Sequence, residues 1–276
     1  MELLMLCPGA GAVLGRPALL LHGPRGRRAL VVADLHIGWE STLADKGFHI
    51  PAQVGKMHRA LEELLRALRP DVLVFLGDVK HTVSGVEAEE WAQIPAFFEA
   101  LSGLVGRLVV VPGNHDGRID ALLPDGVELA GSGGLVLWGF GLFHGHAWPD
   151  SDVLACETLV TGHMHPVVSF REGPFFRTTA RVWLVAPCDG DCLAEELARR
   201  GRGRPEEPSA RRLIVMPSFN EFLGGQAVNA GKRRAGDEKL IGPVLRTACV
   251  PMADAEVYML DGTFLGTIRH LRQTGL

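Results

Sequence analysis

The sequence predicts an α/β protein in which a second β-sheet packs on a first. Three observations predict it. Strands and helices alternate over residues 30–116, a polar cluster follows each of three strands, and short strand-like runs dominate from about residue 127.

Taken in order, residues 30–33 are a short apolar run ending at Asp34, as a buried strand would be. Val54, Met57, Leu61, Leu64, Leu65 and Leu68 recur at helical spacing over 53–68, between Pro51 and Arg69-Pro70. Residues 72–76 form the next buried strand and end at Gly77-Asp78. A second helix covers 87–101, with Pro95 expected near its start or at a kink. Residues 108–111 are a third strand, running into Pro112-Gly113-Asn114-His115-Asp116. Open α/β sheets bind ligands beyond the carboxyl ends of their strands, so Asp34, Asp78 and Asn114 are expected at one edge of one sheet. Residues 127–129, 135–138, 142–144, 158–161, 167–170, 179–185, 213–216 and 257–260 then read as short strands with few helix-length gaps. That half is expected to form the second sheet, packed on the first. Residues 201–212 are charged, Gly/Pro-rich and nearly free of apolar groups, an exposed loop within a single domain spanning 1–276.

Composition narrows the function. The 276 residues are 47% apolar and 22% charged, an ordinary globular balance. A net charge of -4 disfavours a globally basic nucleic-acid binder but leaves room for a local basic groove. Cys7, Cys156, Cys188, Cys192 and Cys249 have no disulfide-framework spacing and are read as reduced thiols. Cys188 and Cys192 are four apart, a spacing that could join a zinc site. No second pair has that spacing, so core or loop cysteines are the better reading. The N-terminal MELLMLCPGAGAVL lacks the basic start of a signal peptide, and the apolar stretch 134–143 is glycine-broken and too short to cross a bilayer. The expected address is the cytoplasm.

Five clusters carry chemistry: Asp34-Leu35-His36, Gly77-Asp78, Gly113-Asn114-His115-Asp116, His144-Gly145-His146 and Gly162-His163-Met164-His165. Each alone is weak, because a lone Asp-x-His or a lone histidine is usually structural. Five in this order, each after a short apolar run, point to a site.

In these clusters the sequence resembles the calcineurin-like metallophosphoesterase superfamily, over about Asp34 to His165. The resemblance implies a four-layer αββα fold, a two-sheet β-sandwich flanked by helices, with two divalent metals at the sheet edge. It implies that Asp34, His36 and His165 hold the first metal, that Asn114, His144 and His163 hold the second, and that Asp78 bridges both. The reaction implied is hydrolysis of a phosphate ester by a metal-bridging hydroxide. Elementary chemistry agrees. Two cations about 3.5–4 Å apart need an anion between them, and paired cations lower the pKa of a bridging water. Mixed imidazole and oxygen donors suit Mn²⁺, with Fe²⁺ and Zn²⁺ as alternatives, better than Ca²⁺ or Mg²⁺. His115 is the candidate general acid for the leaving oxygen. Asp116 either orients that imidazole or only caps the following turn. His146 is a candidate spare ligand or phosphate contact, or equally a surface histidine beside the site. His81 is a candidate substrate contact, a donor to a ligand or a plain loop residue, and Lys80 is a candidate phosphate contact near a cluster end.

Further stretches resemble the SbcD-like branch, whose bacterial relatives include the ligase-associated single-strand nuclease PdeM. They are residues 34–40, 47–51 and 77–81, then Pro217-Ser218-Phe219-Asn220 and residues 224–229. That branch implies a phosphodiester substrate, single-stranded DNA or RNA, and a helicase or ligase as partner. For phosphate tracking the sequence offers Arg118, Arg171 and the basic runs Arg25, Arg27, Arg28 and Lys232, Arg233, Arg234, and for base stacking Trp39 and Trp148. Competing readings are a phosphomonoesterase, a cyclic-nucleotide phosphodiesterase, a nucleotide pyrophosphatase and a non-catalytic interaction scaffold.

Overall fold

The computed structural model describes residues 1–44, 47, 50–172, 176–230 and 242–274. The first sheet runs in chain order through β1 (Leu3–Cys7), β2 (Ala10–Val13), β3 (Leu19–His22), β4 (Arg28–Val32), β5 (Val72–Leu76), β6 (Arg107–Val111) and β7 (Val127–Leu129). From β1 to β4 neighbours are antiparallel, and from β4 to β7 they are parallel. The parallel strands are apolar on both faces because both faces are covered. The chain between β4 and β6 contributes α1 (Trp39–Ala44), α2 (Val54–Leu68) and α3 (Ala88–Ser102).

The second sheet contains β8 (Leu135–Leu137), β9 (Phe140–Phe143), β10 (Thr158–Thr161), β11 (Pro166–Glu172), β12 (Phe176–Pro187), β13 (Arg212–Val215), β14 (Gln226–Ala227), β15 (Glu256–Met259) and β16 (Phe264–Thr267). Strands β9, β10 and β13 are parallel neighbours, and β12 pairs antiparallel with β11, β13 and β15. Helices α4 (Ser151–Leu154), α5 (Gly190–Ala198) and α6 (Ile268–Thr274) belong to this half.

Strand alternation sorts the apolar residues into three cores, which define four layers. Leu30, Val32, Leu73, Phe75, Leu108 and Val110 pack with Leu61, Leu64, Phe97 and Phe98 of α2 and α3. Their neighbours Val31, Val74 and Val109 face the opposite way and meet Val160, Trp183, Val185 and Ile214 of the second sheet. The far face of that sheet, Leu159, Leu184 and Val215, packs on Val153, Leu193 and Leu271 of α4, α5 and α6. This is the expected α/β sandwich.

Several expectations need correction. Residues 127–129 extend the first sheet, with Leu108 opposite Val127, so the second sheet starts only at Leu135. That strand is exposed on an edge, which gives it the polar look of a new region. Strands β1 to β3 were not legible, since β1 and β3 are leucine-rich runs without apolar-polar alternation and β2 is a short Ala-Gly-Ala-Val run. Pro95 sits mid-way along α3, which runs on through it from a Glu87/Glu90 capping box. The charged 201–212 segment ends as strand at Arg212, and Ala210 is buried under α5. The cysteines are not all free: Cys192 on α5 forms a disulfide with Cys249, with Cα atoms 5.4 Å apart. Cys7 and Cys156 are buried thiols and Cys188 is half-buried. Among the described residues no helix is long and apolar enough to cross a membrane.

Candidate metal centre

The carboxyl ends of β4, β5 and β6 lie side by side, and the loops leaving them continue the pairing for a few residues. The Asp34 amide donates to the Gly77 carbonyl, and His36 and Ile37 donate to Asp78 and Val79. From the second sheet, β9 delivers His144 and β10 delivers His163 and His165 to the same edge. Three groups of ligand atoms result, each within 4.8 Å of one another: His36 with His81 and His115, Asp34 with His36 and His165, and Asp78 with His144 and His163. Asp78 Oδ2 lies between the last two, 3.5 Å from His36 Nε2 and 3.3 Å from His144 Nε2. Asn114 lines the same cleft, with its Oδ1 buried and unpartnered.

The backbone is bent to make this possible. Asp34, His36, Asp78, His163 and His165 all have φ between 46° and 66°, the left-handed region that costs a side-chain-bearing residue energy. The motif glycines allow the close approach. A Cβ on Gly77 would collide with the His144 imidazole, and one on Gly113 with the Asp78 carboxylate.

Three of the four ligand imidazoles are oriented through their other nitrogen. His144 Nδ1 donates to the Leu76 carbonyl at 2.9 Å, His165 Nδ1 faces the Gly224 carbonyl at 3.3 Å, and His36 Nδ1 meets His81 Nδ1 at 3.2 Å. The Nε2 atoms of His36, His144 and His165 are then buried without a hydrogen-bond partner. Leaving such atoms orphaned is costly unless something else binds them. Metal-ligating histidines show this pattern, with one nitrogen on a protein acceptor and the other free for the ion. The donor set therefore fits a pair of cations.

The electrostatics say the same. Burial works against the charge on Asp34 and Asp78, but the neighbouring histidines outweigh it and hold both carboxyls below the usual range. Burial also opposes charge on His144, yet Asp78 and Asp34 outweigh it and raise this imidazole to about 9. His165 is raised against burial by Asp34 in the same way. His36 is pushed down to about 3 by burial, and His163 to about 4 by burial and the His144 charge. Without cations, the carboxylates draw protons onto His144 and His165.

Residues 27–179 match the family model described as calcineurin-like phosphoesterase. The chain belongs to this family. The family's dinuclear centre and the two Asp-bearing ligand groups here coincide in kind, since His and Asp donors line the cleft of this phosphoesterase. Among solved structures, the chain is similar to the Pseudomonas putida nuclease MPE, with 18% sequence identity, a TM-score of 0.50, and coverage of 88% of this chain and 97% of that one. At that identity the likeness speaks for the fold. No curated protein matches the sequence.

The remaining candidates fall out differently. The His115 amide donates to Asp78 Oδ1 at 2.8 Å, and its Nδ1 contacts the His81 carbonyl. Asp116 does not reach that imidazole, as one reading held, nor does its side chain cap the next turn. Its buried carboxylate accepts from Gly113, Val79 and Lys80 amides, clasping the Asp78 loop to the Asn114 loop. Burial and the Asp78 charge push it up to about 6. Lys80 is fully buried, and its ammonium donates to the Thr82 carbonyl. His81 completes a triangle of rings with His36 and His115, 5.3 and 5.5 Å from them, with those two 4.6 Å apart. His146 lies 5.3 Å from the His144 ring, with a buried, unpartnered Nδ1.

Arg28 opens β4 and so lies at the end opposite the site, while Arg27 covers Trp138. Arg118 and Arg171 are exposed. Lys232, Arg233 and Arg234, and His49 of the 47–51 stretch, lie outside the described residues. Trp148 is core, buried under the Arg200 guanidinium.

Sequence reasoning missed Glu90, a buried carboxylate whose Oε1 accepts from His81 and Thr82 and so fixes the His81 loop to α3. It also missed what Asn220 does. The Asn220 side chain donates to the Leu35 carbonyl, and Phe219 and Asn220 amides donate to Ala33 and Asp34. The segment 217–225 is thus a strap across the first ligand loop. Only its Pro-Ser-Phe-Asn sequence hinted at that.

Proposed function

We propose that this phosphoesterase is a dinuclear, manganese-dependent phosphodiesterase of single-stranded nucleic acid. The observation that supports it most is the convergence of orphaned imidazole nitrogens on both sides of one buried aspartate, at an open cleft on the joined edge of two sheets.

We assign Asp34, His36 and His165 to one cation, Asn114, His144 and His163 to the other, and Asp78 to both. When bound, such a pair supplies an activated water and neutralises charge on the phosphoryl oxygens. The chain's own residues do the rest. The left-handed loops position the ligands, and the Leu76, Gly224 and His81 contacts hold the His144, His165 and His36 rings at a fixed angle. The His115 amide holds Asp78 in place while its ring, fixed at Nδ1 by the His81 carbonyl, keeps Nε2 to protonate the leaving oxygen. An alkoxide leaving group needs that proton, which suits a nucleic-acid diester.

The test is a hydrolysis panel with Mn²⁺, Fe²⁺ and Zn²⁺ over monoesters, bis-p-nitrophenyl phosphate, cyclic nucleotides, dinucleotide pyrophosphates, and single- and double-stranded DNA and RNA. Manganese-dependent cleavage of single strands, abolished by chelator, is expected. Rapid turnover of mononucleotides with oligonucleotides left intact would refute the nucleic-acid substrate.

A further inference from the structure

The strap has a second side. Where Gly224 and Gly225 line the metal cleft, Phe219, Asn220, Glu221 and Phe222 line a separate cleft of about 130 Å³ against α2. Three features of this second cleft are unexplained by the fold.

Phe222 is 42% exposed and lies stacked on Trp39 at 6.2 Å and 24°. Trp39 starts α1, three residues beyond His36, with its amide bonded to the His36 carbonyl at 3.0 Å. The aromatic pair therefore joins the first ligand loop to the strap. Lys56, from α2, holds its ammonium 5.6 Å from the Phe222 ring centroid, where it is also paired with Glu221. At the floor, Arg181 is half-buried, and its only hydrogen bonds among the described residues run from Nη1 to the Ser218 and Phe219 carbonyls at 3.0 and 3.3 Å. Nε and Nη2 carry the remaining donors, and no carboxylate forms an ion pair with the guanidinium among the described residues. A cationic floor, a flat aromatic wall and a second cation at the rim match one nucleotide of a single strand, base on ring and phosphate on guanidinium.

We propose that this cleft is a nucleotide subsite, in which Phe222 backed by Trp39 carries one unstacked base of the substrate strand while Arg181 and Lys56 hold its phosphate. The proposal rests on the phosphodiesterase reading for its purpose but not for its test. Every single-stranded base has a π-face, so the subsite selects strand state rather than sequence. It lies outside the cation groups, so it acts on strand binding rather than on the bond-breaking step.

The experiment compares wild type, Phe222→Ala and Phe222→Trp, with Phe264→Ala, an exposed ring on β16, as the control. In chelator, binding of a single-stranded oligonucleotide carrying one 2-aminopurine is followed by its fluorescence quenching and by anisotropy. With Mn²⁺, the ratio of kcat/KM for that oligonucleotide to kcat/KM for bis-p-nitrophenyl phosphate is measured. Phe222→Ala is expected to raise Kd about tenfold and to lower the ratio about tenfold through KM, with Phe222→Trp restoring both. Lys56→Ala is expected to weaken binding less and to flatten its salt dependence. Unchanged Kd and unchanged quenching in Phe222→Ala would overturn the subsite. Failure of the phosphodiesterase reading shows separately, as no manganese-dependent hydrolysis of any diester by wild type, while the binding arm still decides the subsite.

Discussion

Two clefts flank the 217–225 strap, and they are built on opposite principles. The metal cleft uses short polar side chains on strained strand ends, with the His144, His165 and His36 rings fixed by a backbone carbonyl or a second histidine. The other uses long side chains from α1, α2, β12 and the strap, loosely paired and partly exposed. The contrast teaches where rigidity is spent. Ligand geometry must be held to a fraction of an ångström for chemistry, whereas a strand can be gripped by adaptable groups.

The comparison can be broken first at Asp78. In Asp78→Asn the shared anion is gone, and kcat on any ester is expected to fall at least about a thousandfold, with loss of bound metal measured by elemental analysis. Substantial retained activity would remove Asp78 from its assigned place. His115→Ala should cost about a hundredfold on oligonucleotides and much less on p-nitrophenyl esters, whose leaving group needs no proton. An equal loss on both would show His115 acting only through its amide contact to Asp78.

Asp116→Ala sharpens the same contrast without touching a ligand. Three amides that Asp116 now satisfies would lose their acceptor, so metal affinity is expected to drop about ten- to a hundredfold in titration calorimetry.

The smallest expected effect is on pH. His144 has its pKa raised from 6.5 to about 9 in the metal-free fold, so its stabilising contribution is complete below pH 6.5 and lost as pH rises through about 9. Metal-free protein should therefore lose thermal stability over that window. Manganese should bind more tightly as pH rises, releasing protons, which calorimetry in buffers of different ionisation enthalpy would count. A metal affinity flat between pH 7 and 9 would mean His144 carries no proton for the cation to displace.

What was legible in the sequence follows the same divide. Asp34, Asp78 and Asn114 could be placed because each ends an apolar run, and strand ends of a parallel sheet converge by topology. Residues whose role depends on a long-range contact could not be placed. Asp116 and Lys80 sit inside motifs, yet the side chain of Asp116 turns to backbone amides of its own and the neighbouring loop, and that of Lys80 to a carbonyl of its own loop. The Phe222, Lys56 and Arg181 cluster joins three distant segments with no shared spacing. Edge strands β1 and β7 gave weak signals because each is only partly buried, and β2 and β3 because they are only four residues long. The Cys192–Cys249 pairing likewise depends on folding two segments 57 residues apart together.

In the proposed centre both sheets together cage two cations about Asp78. Crystals of protein loaded with Mn²⁺, with anomalous scattering recorded at the manganese edge, would show whether they do. Two peaks per chain are predicted, one on each side of the Asp78 carboxylate, bounded by His36 and His165 on one flank and His144 and His163 on the other. A single peak, or peaks only elsewhere, would contradict it.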